Sequence, residues 1–211
     1  MKFSDEQITN LAECVKSRLS EKRFRHVQCV VDAAKRIGRF FDEIDISELS
    51  AAALLHDITK ELDVSEHLAL FDEYGVKISD EDRDTVSILH SLTAPFFTLK
   101  HFPEFATESV LSALKNHTTG ESGMSIFDRI IFIADYVEDS RIYDSCVKVR
   151  EELFSALSLL NNHEKNEYAL NKAVYDSLVF TEKDVLKRGR ILNSRSFSTK
   201  EYFCAVLSES V

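Results

Sequence analysis

Six polar side chains fall in the middle or at the end of apolar helical segments: His26, His56, Asp57, His90, His117 and Asp135. Asp135 is the clearest, because it interrupts Ile130-Ile131-Phe132-Ile133-Ala134-Asp135-Tyr136-Val137. A helix apolar nearly all round is buried, and an isolated buried carboxylate costs several kcal/mol or more unless it is paired or holds a metal. His56-Asp57 follows the equally apolar Ala51-Ala52-Ala53-Leu54-Leu55. Neighbouring helical residues diverge by about 100°, so these two reach one ion only near a helix end or bend. His26 precedes Val27 on a helical stripe, His90 ends Val86-Ser87-Ile88-Leu89, and His117 ends the run from Val110 to Asn116. Each taken alone is an ordinary core histidine or ion-paired aspartate. Taken together, imidazoles and carboxylates without thiolates suit Fe, Mn or a catalytic Zn and argue against a structural zinc site. His67, His101 and His163 stand in charged or loop-like settings and are assigned no metal role.

The order His26 … His56-Asp57 … Asp135 resembles the metal signature of the HD-domain phosphohydrolase superfamily. His56-Asp57-Ile58-Thr59-Lys60 is similar to that superfamily's HD-x-x-K variant. Asn116-His117-Thr118-Thr119-Gly120, Gly123-Met124-Ser125 and Ile133-Ala134-Asp135-Tyr136-Val137-Glu138-Asp139-Ser140-Arg141 look like the bacterial YqeK-type group. Those proteins are symmetrical bis(5′-nucleosyl)-tetraphosphatases, which split diadenosine tetraphosphate into two ADP. The resemblance covers roughly residues 8 to 207. It implies a divalent metal, Fe first and Mn or another transition ion next, on His26, His56, Asp57 and Asp135. His90 and His117 either hold a second ion with Asp57 bridging or donate hydrogen bonds to phosphate. It further implies phosphate contacts from Arg23, Lys60, Thr118 and Arg141, and a nucleoside near Leu178, Val179, Phe180, Thr181, Glu182 and Lys183. Lys60 lies one helical turn past His56 and Arg23 three residues before His26, so each can share a ligand's face. The chain departs from the group at Asp139, where Pro is usual, and at Tyr143-Asp144-Ser145-Cys146, where a Phe-Pro-Gly-like turn is usual. Both departures flank Arg141 and leave its contact with substrate open. Two other functions share the ligand set or part of it. One is an HD-type hydrolase of deoxynucleoside triphosphates, guanosine polyphosphates or cyclic nucleotides. The other is a nucleotide sensor without catalysis, against which the intact ligand set argues.

The elements that must position these residues are helices. Ser4 with Gln7 forms a capping box for a helix to about Leu19. Further helices are expected from Arg23 to Phe41, from a Ser47 cap to about Thr59, and from about Ser65 to Gly75. A helix capped by Ser79 follows, then a short segment after Pro95. Pro103 opens a helix that Thr118-Thr119-Gly120 closes. Ser125 with Asp128 starts the next, and two more run from about Val147 to Leu160 and from about Asn166 to Lys187, the latter ended by Gly189. Ser198 or Thr199 caps a last one, and a minor hairpin near Gly189 to Phe197 is the only β candidate. The expectation is all-α: a compact HD-domain helical bundle of about ten helices. It forms a single domain over 1–211 whose C-terminal helices, about 147–211, pack on the metal-binding core.

Composition agrees. The chain has 5 Gly and 2 Pro among 211 residues, against usage of about 7% and about 5%, too few for the many tight turns of a sandwich or barrel. The net charge of −10 repels nucleic-acid backbones and anionic lipid. The expected partner is therefore a small dinucleoside polyphosphate or nucleotide, with no nucleic acid and no membrane, and the oligomeric state is open. Cys14, Cys29, Cys146 and Cys204 form no C-x-x-C pair and suit free thiols in a reducing cytosol. No apolar signal segment or membrane-length run is visible, so the expected location is the cytoplasm.

Overall fold

Ser4 and Gln7 exchange hydrogen bonds as a capping box at the start of α1 (Asp5–Lys16), and Ser20 caps α2 (Glu21–Gly38). The computed structural model describes residues 2–159 and 162–209. α3 (Ile46–Leu55) is capped by Asp45, not by Ser47 as the sequence suggested. The Asp45 carboxylate accepts from the N–H groups of Ser47 and Glu48 at 2.9 and 3.1 Å. The Ser47 hydroxyl instead accepts from the backbone of Lys2 and Phe3, which ties the N-terminus to this helix. α3 also stops at Leu55 rather than near Thr59. Asp63 and Glu66 form the capping box of α4 (Val64–Glu73), which gives way to Gly75 at φ +63°. Ser79 caps α5 (Asp80–Asp84).

α6 (Leu89–His101) runs straight through Pro95. The sequence placed a boundary there, but Leu89, Ala94 and Thr98 are all buried, and that packing outweighs the lost backbone donor. Pro103 opens only a 3-10 turn (Pro103–Phe105), and α7 (Glu108–Asn116) starts behind a Thr107 cap. Ser125 and Asp128 form the capping box of α8 (Ile126–Val137). α9 spans Asp144–Leu159, and the expected end at Leu160 lies outside the described residues. α10 (His163–Lys187) leads through Gly189, at φ +68°, to α11 (Ser194–Glu209). Ser198 and Thr199 therefore sit inside α11, and no strand occurs among the described residues, so the hairpin is absent. α11 starts early because the Ser194 backbone and hydroxyl both donate to Glu81 at 2.6 Å.

Two helices form the centre. Ser47 to Leu55 of α3 and Phe127 to Ala134 of α8 are buried without interruption. α2 packs on both, α7 packs on both and on α6, and α1 lies on α3. α10 packs on α8, α9 and α11, so the C-terminal helices rest on the same central element. No helix among the described residues is long and apolar enough to cross a membrane.

Candidate metal centre

The central helices end at one place. His56 is the C-cap of α3, His117 the C-cap of α7, and Asp135 lies in the last turn of α8. His26 from the front half of α2 and His90 from the first turn of α6 meet them. Three helix C-termini thus point partial negative charge at one spot, which favours a cation there. The end of α3 at Leu55 also frees the backbone to turn, so that His56 and Asp57 face the same cleft despite being adjacent in sequence.

The six residues form two groups, each with ligand atoms within 4.8 Å of one another: His26, His56 and Asp135, and Asp57, His90 and His117. Asp57 also joins the first group. Its Oδ2 lies 3.6 Å from Nε2 of both His26 and His56, while its Oδ1 lies 3.3 Å from His90 Nε2 and 3.8 Å from His117 Nε2. Asp135 Oδ1 is 3.0 Å from His26 Nε2 and 4.0 Å from His56 Nε2.

The imidazoles are aimed by what their other nitrogen meets. His56 Nδ1 donates to the carbonyl of Ala53 at 2.7 Å and His117 Nδ1 to that of Leu114 at 2.8 Å. Those bonds leave each Nε2 as an acceptor facing the cluster. Burial pushes the His56 pKa down to about 4. Burial, then the nearby Lys60 ammonium, hold His90 well below the usual histidine range. Both rings are therefore neutral at pH 7, the form that ligates. Burial opposes ionisation of Asp57, but the surrounding imidazoles and the Lys60 ammonium keep its carboxyl well below the usual range. Burial likewise opposes ionisation of Asp135, which the His26 ring 3.0 Å away and the Arg141 guanidinium keep charged. For His26 burial favours the neutral ring, yet Asp135 and Glu138 together raise its pKa to about 9, so without an ion Nε2 carries the proton that a metal there would displace.

The donor set fits a transition metal. Nε2 of His26 and of His56 are buried and make no well-formed hydrogen bond, although carboxylate oxygens surround them. A buried ring nitrogen with that surrounding is costly unless a cation, proton or metal, takes its lone pair. Thiolates are absent from the cluster; Cys146 is buried elsewhere, Cys29 is half-buried, and Cys14 and Cys204 are exposed.

The expected phosphate residues stand around the cluster. Lys60 Nζ lies 3.0 and 3.3 Å from the two ring nitrogens of His90. Thr118 Oγ1 lies 3.1 Å from His90 Nε2. Arg23 Nη1 pairs with Asp57 Oδ2 at 2.8 Å, and Arg141 Nη2 with Asp135 Oδ1 at 2.9 Å. The segment Leu178 to Lys183 is different. Leu178 is core, Glu182 pairs with Lys200, Lys183 lies against the Phe180 ring, and none of the segment's ion pairs or ring contacts among the described residues reaches the cluster. A cavity of about 890 Å³ between α6 and α7, lined by Phe71, Leu92, Phe96 and Leu111 among others, contains none of the six cluster residues.

His67, despite its charged sequence neighbours, is buried at 3% exposure, with Nδ1 bonded to Thr93 Oγ1 at 2.8 Å. Thr59 reaches the same layer by donating to the His90 carbonyl. Two further residues carried no role in the sequence analysis, Glu138 and Arg150. Glu138 is 1% exposed and meets His26 Nδ1 at 3.2 Å. Its signal was an acidic residue directly after the buried Val137.

An HD domain model matches residues 23–139, more than half of the chain and all six cluster residues. The chain belongs to the HD domain family. Among its relatives, this HD-domain chain is 29% identical over 189 residues to a protein named bis(5′-nucleosyl)-tetraphosphatase, symmetrical, from Halalkalibacterium halodurans, covering 89% of this chain and 91% of that one. It is also 29% identical to a protein of the same name from Staphylococcus aureus, over 81% of this chain and 83% of that one. Among solved structures it resembles one described as a predicted HD superfamily hydrolase involved in NAD metabolism, from Clostridium acetobutylicum. The TM-score is 0.79 and the identity 29%, covering 96% of this chain and 98% of that one.

Proposed function

We propose that this HD-domain chain is a metal-dependent hydrolase that adds water across the central phosphoanhydride of diadenosine tetraphosphate and releases two ADP. The observation that carries the reading is the split carboxylate of Asp57, one oxygen facing each ligand group, with Arg23 on Asp57, Arg141 on Asp135 and Lys60 on His90. The names of its relatives from Halalkalibacterium halodurans and Staphylococcus aureus support the substrate.

His26, His56, Asp57 and Asp135 would hold the tighter ion, Fe or Mn by donor chemistry, and His90 and His117 with Asp57 Oδ1 a weaker second one. Such an ion supplies an acidified water and neutralises phosphoryl oxygens. The chain's own residues do the rest. Lys60, with Nζ over His90, places its charge where the scissile phosphoryl oxygens gather negative charge. Thr118 Oγ1, 3.1 Å from His90 Nε2, donates to the same phosphate. Arg23 and Arg141 orient the ligand carboxylates and present their remaining N–H groups to the outer phosphates. Of residues 178–183, Phe180, flanked by Lys148 and Lys183, has the surroundings a stacked base would use. The four free cysteines suit the reducing bacterial cytoplasm, where this reading places the protein.

The test is a substrate panel with Fe²⁺- and Mn²⁺-loaded protein. ADP as the sole product of diadenosine tetraphosphate supports the proposal. AMP plus ATP refutes the symmetrical cut. Preference for a deoxynucleoside triphosphate, a guanosine polyphosphate or a cyclic nucleotide refutes the substrate.

A further inference from the structure

The turn after α8 is held from outside the metal centre. Arg150 of α9 donates from Nε to the Val137 carbonyl at 2.5 Å, and from Nη2 to the carbonyls of Glu138 at 2.5 Å and Arg141 at 2.7 Å. One planar guanidinium thus fixes three carbonyls around the bend, a task its rigid fork of donors suits. Inside the bend the Glu138 side chain is folded back and buried at 1% exposure. Its Oε2 accepts from the Ser140 N–H and its Oε1 from the Ser140 hydroxyl, both at 2.6 Å, and Arg141 Nε is 3.6 Å from Oε1. The same Oε1 meets His26 Nδ1 at 3.2 Å.

His26 differs from its partners in this respect. His56 and His117 take their orientation from carbonyls three residues back in their own chain segments. His26 lies in the body of α2, where the carbonyls are committed to the helix, so its Nδ1 needs an acceptor from elsewhere. Glu138, 112 residues away in sequence, is that acceptor.

We propose that Glu138 is the positioning residue of His26, and that Arg150, by clamping the 137–141 bend, is the long-range support that keeps Glu138 in place. The inference rests on the reading of His26 as a metal ligand. Glu138 presents an acceptor to Nδ1 and so leaves the Nε2 lone pair on the cluster side. Ser140 and Arg141 hold the carboxylate, and Arg150 holds the backbone that carries it. Helix α9 thereby sets the geometry of a centre to which it contributes none of the six cluster residues.

The experiment measures Mn²⁺ affinity of the full-length chain by competition with a fluorescent chelator, beside the melting temperature of the metal-free protein. Glu138→Gln keeps the side chain's shape but replaces an acceptor-only group with an amide that can turn its N–H toward the ring. Loss of such a supporting contact typically weakens metal binding about 10- to 100-fold. We expect that loss with a nearly unchanged melting temperature. Ser140→Ala, at an exposed position, and Arg150→Lys, which cannot span three carbonyls, should weaken Mn²⁺ binding in the same direction by less. Because Glu138 acts through His26, adding Glu138→Gln to His26→Ala should cost nothing further. Full Mn²⁺ affinity in Glu138→Gln, or losses that multiply in the double variant, would overturn the proposal. If His26→Ala itself binds Mn²⁺ as tightly as wild type, both the ligand assignment and its positioning fall together. A failed substrate panel alongside these affinity losses would instead refute only the choice of substrate.

Discussion

Three cations stand around the two carboxylates of the cluster, and they are not equivalent. Arg23 is committed to Asp57 at 2.8 Å and Arg141 to Asp135 at 2.9 Å. Lys60 forms no ion pair with a carboxylate among the described residues; its Nζ rests 3.0 Å from His90 Nε2. Burial lowers its pKa, with the Asp57 and Asp135 charges opposing that shift. Lys60 is therefore the cation left to meet an incoming phosphate. Lys60→Met keeps the apolar stem and removes the charge. A hydrogen bond to a charged group is worth roughly 1.5–3 kcal/mol, which corresponds to about ten- to a hundredfold in rate. We expect kcat/KM for diadenosine tetraphosphate to fall by about that factor, mostly in kcat, since the charge on the scissile phosphate changes in the transition state. The assay is ADP release resolved by anion-exchange chromatography, with bound metal counted by elemental mass spectrometry on the same sample. A wild-type rate in Lys60→Met with its metal retained would show that the lysine contacts no phosphate and that the cleft opens on another side.

Arg141→Ala should act mainly on KM and also loosen the metal, because Arg141 pairs with Asp135, a proposed ligand; an unchanged KM at saturating Mn²⁺ would put it outside the phosphate path. His117→Ala should remove the weaker ion and leave the one on His26, His56 and Asp135, read as a fall in metal stoichiometry; an unchanged stoichiometry would assign His117 to phosphate. Asp45→Ala should cost about 1 kcal/mol of stability at pH 7 for the lost α3 cap. Burial acts to raise the Asp45 pKa, but hydrogen bonds from Ser47 and Glu48 hold it at about 2, below the usual 3.8. A depressed carboxylate contributes fully above its unfolded value and loses that contribution as pH falls through its folded value. The wild-type advantage should therefore be constant above about pH 4 and narrow toward pH 2; a gap independent of pH in chemical denaturation would contradict the assignment. Gly120→Ala should destabilise by roughly 1–3 kcal/mol, since Gly120 sits at φ +69° and an added Cβ would stand 2.6 Å from Thr199 Cγ2; a calorimetric melt unchanged from wild type would mean that the loop after His117 is free of α11.

What the sequence made legible was local. The capping pairs Ser4–Gln7 and Ser125–Asp128 are three residues apart and form as the spacing requires. The six cluster residues stood out because each was polar where its neighbours demanded burial. The errors came from partners far along the chain. Ser47 looked like a cap because serines cap helices, but Lys2 and Phe3, some 45 residues away, occupy its hydroxyl and leave Asp45 to do the capping. Pro95 looked like a boundary because the packing that carries α6 past it involves α4 and α7. His67 stands in a charged stretch because Asp63 and Glu66 are on the surface side of α4, while its ring turns inward to Thr93.

Arg150 shows why some of the site leaves no trace in composition or spacing. Its partners are three backbone carbonyls, and a carbonyl is the same in every residue. A pattern of side chains can announce an unsatisfied carboxylate such as Asp135, because burial makes that residue type expensive. It cannot announce which distant guanidinium satisfies a bend. The same holds for the division of Asp57: that one oxygen faces His26 and His56 while the other faces His90 and His117 follows from where α3 ends relative to α2, α6 and α7. The sequence left one ion or two as open alternatives. The relative placement of the helix ends favours two adjoining positions, because a single carboxylate sits between two groups of histidines, each with its own Nε2 atoms turned toward it.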